Sequence, residues 1–180
     1  LQFEDELAPK TVHDILVVLH GILKFTASKC KGVFPTVEIN YPKIGKKEMR
    51  VLSREEQERF ISYLQKDLDR CRFGILLALC TGIRIGELCA LRWEYISTRD
   101  NAIKIVETLQ RLRDTSASQN TRTRIVIGPP KSDTSVRTIP MTEYAAGLCR
   151  HMKPQSSAAY VLTGTDAFME PRVLQYRLEK

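Results

Sequence analysis

No apolar run in this chain approaches the length of a membrane span, and its start carries no signal-peptide pattern. A soluble, cytoplasmic protein with no membrane partner is therefore expected. Cysteine is sparse and scattered: Cys30, Cys71, Cys80, Cys89 and Cys149 form neither a Cys-x-x-Cys pair nor a Cys/His cluster. That argues against a zinc site, and the five read as reduced, mostly buried thiols of a cytosolic protein. Histidine is scarcer still. His13 and His20 stand two turns apart in a helical pattern without a third ligand nearby, so both read as ordinary helix-surface or core residues. Internal repeats and low-complexity tracts are absent. No metal and no cofactor are expected.

What is present suffices for a folded core. The chain has 180 residues, of which 43% are hydrophobic, enough for one domain or for a small domain plus a piece of another. Lys and Arg outnumber Asp and Glu by 28 to 21, for a net charge of +7. Such a balance favours polyanionic partners, of which nucleic acid is the commonest. The first residue is Leu rather than Met, and a fragment of something longer is expected.

The stretch from Leu76 to Ile96, LLALCTGIRIGELCALRWEYI, organises the rest. An apolar helix runs into Thr81 and Gly82, and Gly82 suits a helix stop because it tolerates the left-handed conformation. A second helix opens with Arg84. Arg84 and Glu87 are three residues apart and share a face, while Ile85, Leu88 and Leu91 or Trp93 can bury the others. An arginine at a helix start adds five donors to free backbone N–H groups, which together favour a phosphate. The plain alternative is a solvated surface pair, worth under about 1 kcal/mol.

Taken in order, Pro9 opens a helix whose apolar residues Val12, Ile15, Leu16, Leu19, Ile22 and Leu23 recur at helical spacing as far as Lys29 to Gly32. Residues Gly32 to Arg50 hold Pro35, Pro42, Gly45 and the basic residues Lys43, Lys46, Lys47 and Arg50, and read as a linker. Ser53 and Glu56 form a capping box for a helix through Phe60, Ile61, Leu64 and Leu68. Phe73 to Cys80 reads as a helix buried on all sides. Ile103 to Leu109 and Thr121 to Ile127 read as two strands, with a polar loop from Asp114 to Asn120 between them and a third strand at Val136 to Ile139. Lys131 then falls at a hairpin turn between two strands of an antiparallel sheet. Thr142 caps a helix to about Met152, and Pro171 starts another.

TGIRIGELCALRWEYI resembles the first catalytic box of the tyrosine recombinases, the phage-integrase family. PPKSDTSVRTIPM, Pro129 to Met141, resembles that family's lysine hairpin, with Lys131, Ser135, Arg137, Ile139 and Pro140 in order. APKTVHDILVVLHGILKFT resembles the last long helix of the family's core-binding domain. The resemblance implies an α+β fold, mostly helical with a small antiparallel sheet. Residues 1–46 would be the end of the core-binding domain and its basic linker, and residues 47–180 the N-terminal and central part of a catalytic domain.

The implied activity is site-specific recombination of double-stranded DNA through a covalent 3′-phosphotyrosine, without a metal. By residue, Arg84 matches the family's first catalytic arginine, Glu87 its acidic partner, and Lys131 the general acid on the leaving 5′ oxygen. Lys43, Lys46, Lys47, Arg50 and Arg137 would contact phosphates or hold the hairpin. The family's His-x-x-Arg box, its later His or Trp and its terminal Tyr find no match: His151 is followed by Met-Lys-Pro, and Tyr176 precedes where the box should fall. No residue of this chain is assigned as nucleophile. The expectation is an incomplete part of a recombinase that assembles as a homo-oligomer on DNA. A shortened, non-catalytic DNA-binding protein is the alternative, and a basic adaptor for acidic proteins a third reading.

Overall fold

A computed structural model describes residues 7–29, 37–45, 48–114, 123–130 and 135–178. The chain divides into two units, Leu1–Val51 and Leu52–Lys180. In the first, α1 (Pro9–Lys29) starts at Pro9, whose missing N–H costs nothing there. None of its residues is buried, and Ile15, Val18 and Ile22 are exposed. His20 Nδ1 lies 2.8 Å from the Tyr41 hydroxyl, and the His13 ring lies 5.1 Å from the Tyr41 ring. Both histidines thus contact one tyrosine on the helix surface.

In the second unit, α2 (Arg54–Lys66) begins at the expected capping box: Ser53 Oγ accepts the Glu56 N–H, and the Glu56 carboxylate accepts the Ser53 N–H at 2.9 Å. Asp69 caps α3 (Arg70–Thr81) by accepting the Arg72 N–H. Gly82 ends α3 with φ of 65°, and its N–H is donated to the Ala78 carbonyl at 2.9 Å. Cys71, Phe73, Gly74, Leu76 and Leu77 are buried, but Leu79 is 49% exposed. The helix is therefore not enclosed on all sides as its composition suggests. Ile75, Ala78 and Leu79 instead line a shallow apolar groove with Phe60 and Ile85.

The helix after Gly82, α4 (Ile85–Ala90), has only six residues, with Arg84 as its N-cap. A short 3-10 turn at Trp93–Tyr95 leads into β1 (Ile96–Ser97). Trp93 stacks on Phe73, with centroids 5.7 Å apart and planes 3° from parallel, at the centre of the core. Ile103 and Ile105 of β2 (Ala102–Ile105) and Leu109 of β3 (Thr108–Arg113) are buried with them.

The strands depart from the sequence pattern in two ways. The single strand expected at Ile103 to Leu109 is two, because the chain leaves one sheet after Ile105 and enters another at Thr108. The alternation of buried residues lapses at the break, where Val106, Glu107 and Thr108 are all half-buried, and burial returns at Leu109. Second, β4 (Thr123–Gly128) pairs with β3, from Thr108 opposite Gly128 to Arg113 opposite Thr123. β5 (Arg137–Pro140) pairs instead with β2, placing Ile139 opposite Ile103. The strands flanking Lys131 therefore belong to different sheets and do not form a hairpin with each other. Lys131 itself, the loop residues 115–122 and Cys30 lie outside the described residues.

Thr142 caps α5 (Glu143–Met152) through the Ala145 N–H, and α6 (Pro171–Leu178) closes the described chain. Cys71, Cys89 and Cys149 are buried, Cys80 is half-buried, and all four are free thiols. Burial pushes the Cys89 and Cys149 thiols up to about 12. The fold is α+β, with antiparallel sheets of three and two strands among the described residues, against the helices. No described helix is long and apolar enough to cross a membrane.

Candidate active site

The site is built on a close approach of two backbones. Gly86 sits in the first turn of α4 against β3: a Cβ there would come within 2.8 Å of the Leu109 carbonyl oxygen and 2.9 Å of Thr108 Oγ1. Only glycine lets α4 lie this near the strand. With Gly82 turning the chain just before it, Arg84 and Glu87 are fixed in place at the edge of the core.

Glu87 is the only buried charged side chain among the described residues, at 3% exposure. Its carboxylate accepts four hydrogen bonds. Oε2 accepts the Arg84 backbone N–H at 3.0 Å and Arg137 Nη2 at 2.8 Å; Oε1 accepts Arg84 Nη1 at 2.9 Å and Arg137 Nη1 at 2.8 Å. Burial is the largest single influence on this group and works to raise its pKa. The hydrogen bonds from Arg137, from the Arg84 N–H and from the Arg84 side chain together outweigh it and hold the carboxyl down at about 2. Glu87 is thus ionised at any ordinary pH.

The Arg84 side chain stands largely in solvent, at 69% exposure. The sequence places it with Glu87, and the structure does so. Its helix has too few residues for the dipole to add much, so the positive character of the site comes from the guanidiniums rather than from the helix start. Arg137 enters from β5, and its bidentate hold on Glu87 is the feature that sequence spacing did not disclose. Fifty positions separate the two residues. The signal available was weak: Arg137 stands inside the lysine box, and nothing in its spacing pairs it with Glu87.

Lys43 and Arg50 lie in the first unit, and Lys46 and Lys47 lie outside the described residues. Tyr176 is on α6 and is exposed. No group of three or more His, Cys, Asp or Glu suited to a metal ion occurs among the described residues.

The phage integrase family model matches residues 50–163, well over half of the chain. This chain belongs to that family. Among curated proteins none matches. By structure the chain is similar to the Tn1549 transposon integrase in complex with transposon right end DNA, at 24% identity, covering 83% of this chain and 46% of that one, with a TM-score of 0.62. A second structure of that integrase, with a circular intermediate DNA, is similar over 92% of this chain and 52% of its own at 23% identity and a TM-score of 0.63. Both likenesses show the fold. The chain spans about half the length of these structures.

Proposed function

We propose that this chain is part of a tyrosine recombinase that breaks and rejoins double-stranded DNA through a 3′-phosphotyrosine. The observation that carries the reading is the Arg84–Glu87–Arg137 cluster: a buried carboxylate shared by two guanidiniums, one of them turned to solvent. Family membership and the likeness to an integrase solved on transposon DNA support it. In this reading a tyrosine hydroxyl attacks the phosphorus and the 5′ oxygen leaves. Arg84 grips the non-bridging oxygens as charge builds on them, and Glu87 holds Arg84 in place without touching the phosphate. Lys131 gives its proton to the leaving oxygen. Lys43, Lys46, Lys47 and Arg50 neutralise phosphates along the duplex. Residues 1–46 act as the end of a core-binding domain with its linker, and residues 47–180 as part of the catalytic domain. Assembly as a homo-oligomer on DNA and a cytoplasmic location belong to the same proposal.

The test is covalent attachment to a DNA substrate that traps the phosphotyrosine, made on a full-length protein that includes a terminal tyrosine. Arg84→Ala is expected to lower attachment by about 10²- to 10³-fold, the scale on which losing one donor to a developing anion acts. Undiminished attachment would sink the assignment. Binding of duplex DNA without any attachment by the wild type would favour the alternative, a DNA-binding protein that does not cut.

A further inference from the structure

Which arginine neutralises Glu87 decides what Arg84 has left to offer. Two guanidiniums face one carboxylate, so the cluster carries a net charge of +1. The hydrogen bonds divide unequally. Arg137 engages both carboxylate oxygens, each at 2.8 Å and each with its own terminal nitrogen. That parallel arrangement is the best match between a guanidinium and a carboxylate. The Arg84 side chain gives Nη1 alone, to an oxygen that Arg137 already uses. Among the described residues its Nη2 and Nε make no hydrogen bond, and it is the more exposed of the two, 69% against 30%.

Resting on the reading of Arg84 as a phosphate ligand, we propose that Arg137 is a positioning residue: it serves as the counterion of Glu87 and so leaves the charge of Arg84 available to DNA. The partnership also raises the pKa of Arg137, as a matched carboxylate should. Without Arg137 the buried carboxylate would need another cation. Arg84 is the one already in contact with it, and by closing onto Glu87 it would bring the cluster to zero net charge.

The experiment is the salt dependence of this chain's binding to a random-sequence duplex, followed by fluorescence anisotropy. Each phosphate contact contributes about 0.9 to the slope of log K against log salt. R137M is expected to lower the slope by about one contact. E87Q/R137M is expected to restore it, because a neutral amide does not capture Arg84. In an R84M background R137M should change the slope no further. If Arg137 itself grips phosphate, E87Q will not restore the slope and R137M will lower it even without Arg84; either result overturns the proposal, as does an unchanged slope in R137M. Should R137M fail to fold, R137K keeps the charge without the fork, and a smaller loss that E87Q restores is expected; no loss would count against it. A failure of the underlying reading looks different, since R84M would then leave the wild-type slope untouched.

Discussion

Glu87→Gln removes one identifiable piece of the protein's acid sensitivity. The folded state holds the Glu87 carboxyl at about 2 against an ordinary 4.5, with Arg137 and Arg84 overcoming the effect of burial. A lowered pKa means that the unfolded chain takes up the proton first as pH falls. The stabilisation is therefore complete above 4.5 and disappears as the pH drops through about 2. At about 1.4 kcal/mol per pH unit the gap corresponds to about 3 kcal/mol, of which about 2 kcal/mol is lost by pH 3. The Arg84 side of the cluster is solvent-facing and screened, so these are upper figures. Glu55, held low by Ser53, and Glu143, held low by Arg150 and Asn101, contribute to acid sensitivity too, but equally in both proteins. Urea unfolding at pH 7 and pH 3 measures the difference. Trp93 fluorescence is a suitable probe, since it is the sole tryptophan and lies buried against Phe73. The wild type should lose up to about 2 kcal/mol more than E87Q between the two pH values. Equal losses would refute the account of Glu87 as an ionised, doubly held carboxylate.

Gly86→Ala should destabilise the second unit by about 1–3 kcal/mol, because the new methyl meets the β3 backbone at 2.8 Å and α4 must retreat. An unchanged urea midpoint would show that α4 does not lie so close. Cys89 and Cys149, whose thiols burial pushes up to about 12, should resist an aromatic disulfide reagent at pH 8 in the folded protein and react fully in urea. Rapid labelling of either in the native state would contradict their burial.

Local signals carried most of the helices. The Ser53–Glu56 box and the Thr142 cap mark helix starts by side-chain hydrogen bonds, Gly82 a stop by its left-handed φ and Pro171 a start by its missing N–H, and each end is observed. The sheets were less legible because pairing is a long-range choice. Nothing in the alternation of Ile103, Ile105 and Leu109 tells that β2 will take β5 as partner while β3 takes β4. The same limit applies at the site. Arg84 and Glu87 meet through spacing along one helical turn, whereas Arg137 reaches Glu87 only because β5 pairs with β2. The all-round burial expected of α3 failed for a related reason: composition shows that a helix is apolar, but the neighbours decide how much of it they cover.

A buried carboxylate held by two arginines is a poor device for stability alone, since apolar side chains of similar volume often serve as well or better. Leucines at positions 87 and 137 would fill the gap between α4 and β5. They would not accept the Arg84 N–H, nor fix the guanidinium beside it. The ionic arrangement supplies direction, which an apolar contact lacks: four hydrogen bonds converge on one carboxylate and set the angle at which Arg84 leaves the surface. Its cost is moderated by sharing. Arg137 compensates the buried charge at close range, and Arg84 keeps most of its exposure and, among the described residues, two donor nitrogens without a hydrogen bond. The tie from α4 to β5 thus performs a structural and a functional task with the same atoms, and E87Q with R137M, which keeps an oxygen to accept from Arg84 but no charge to capture it, should disturb Arg84 less than R137M alone.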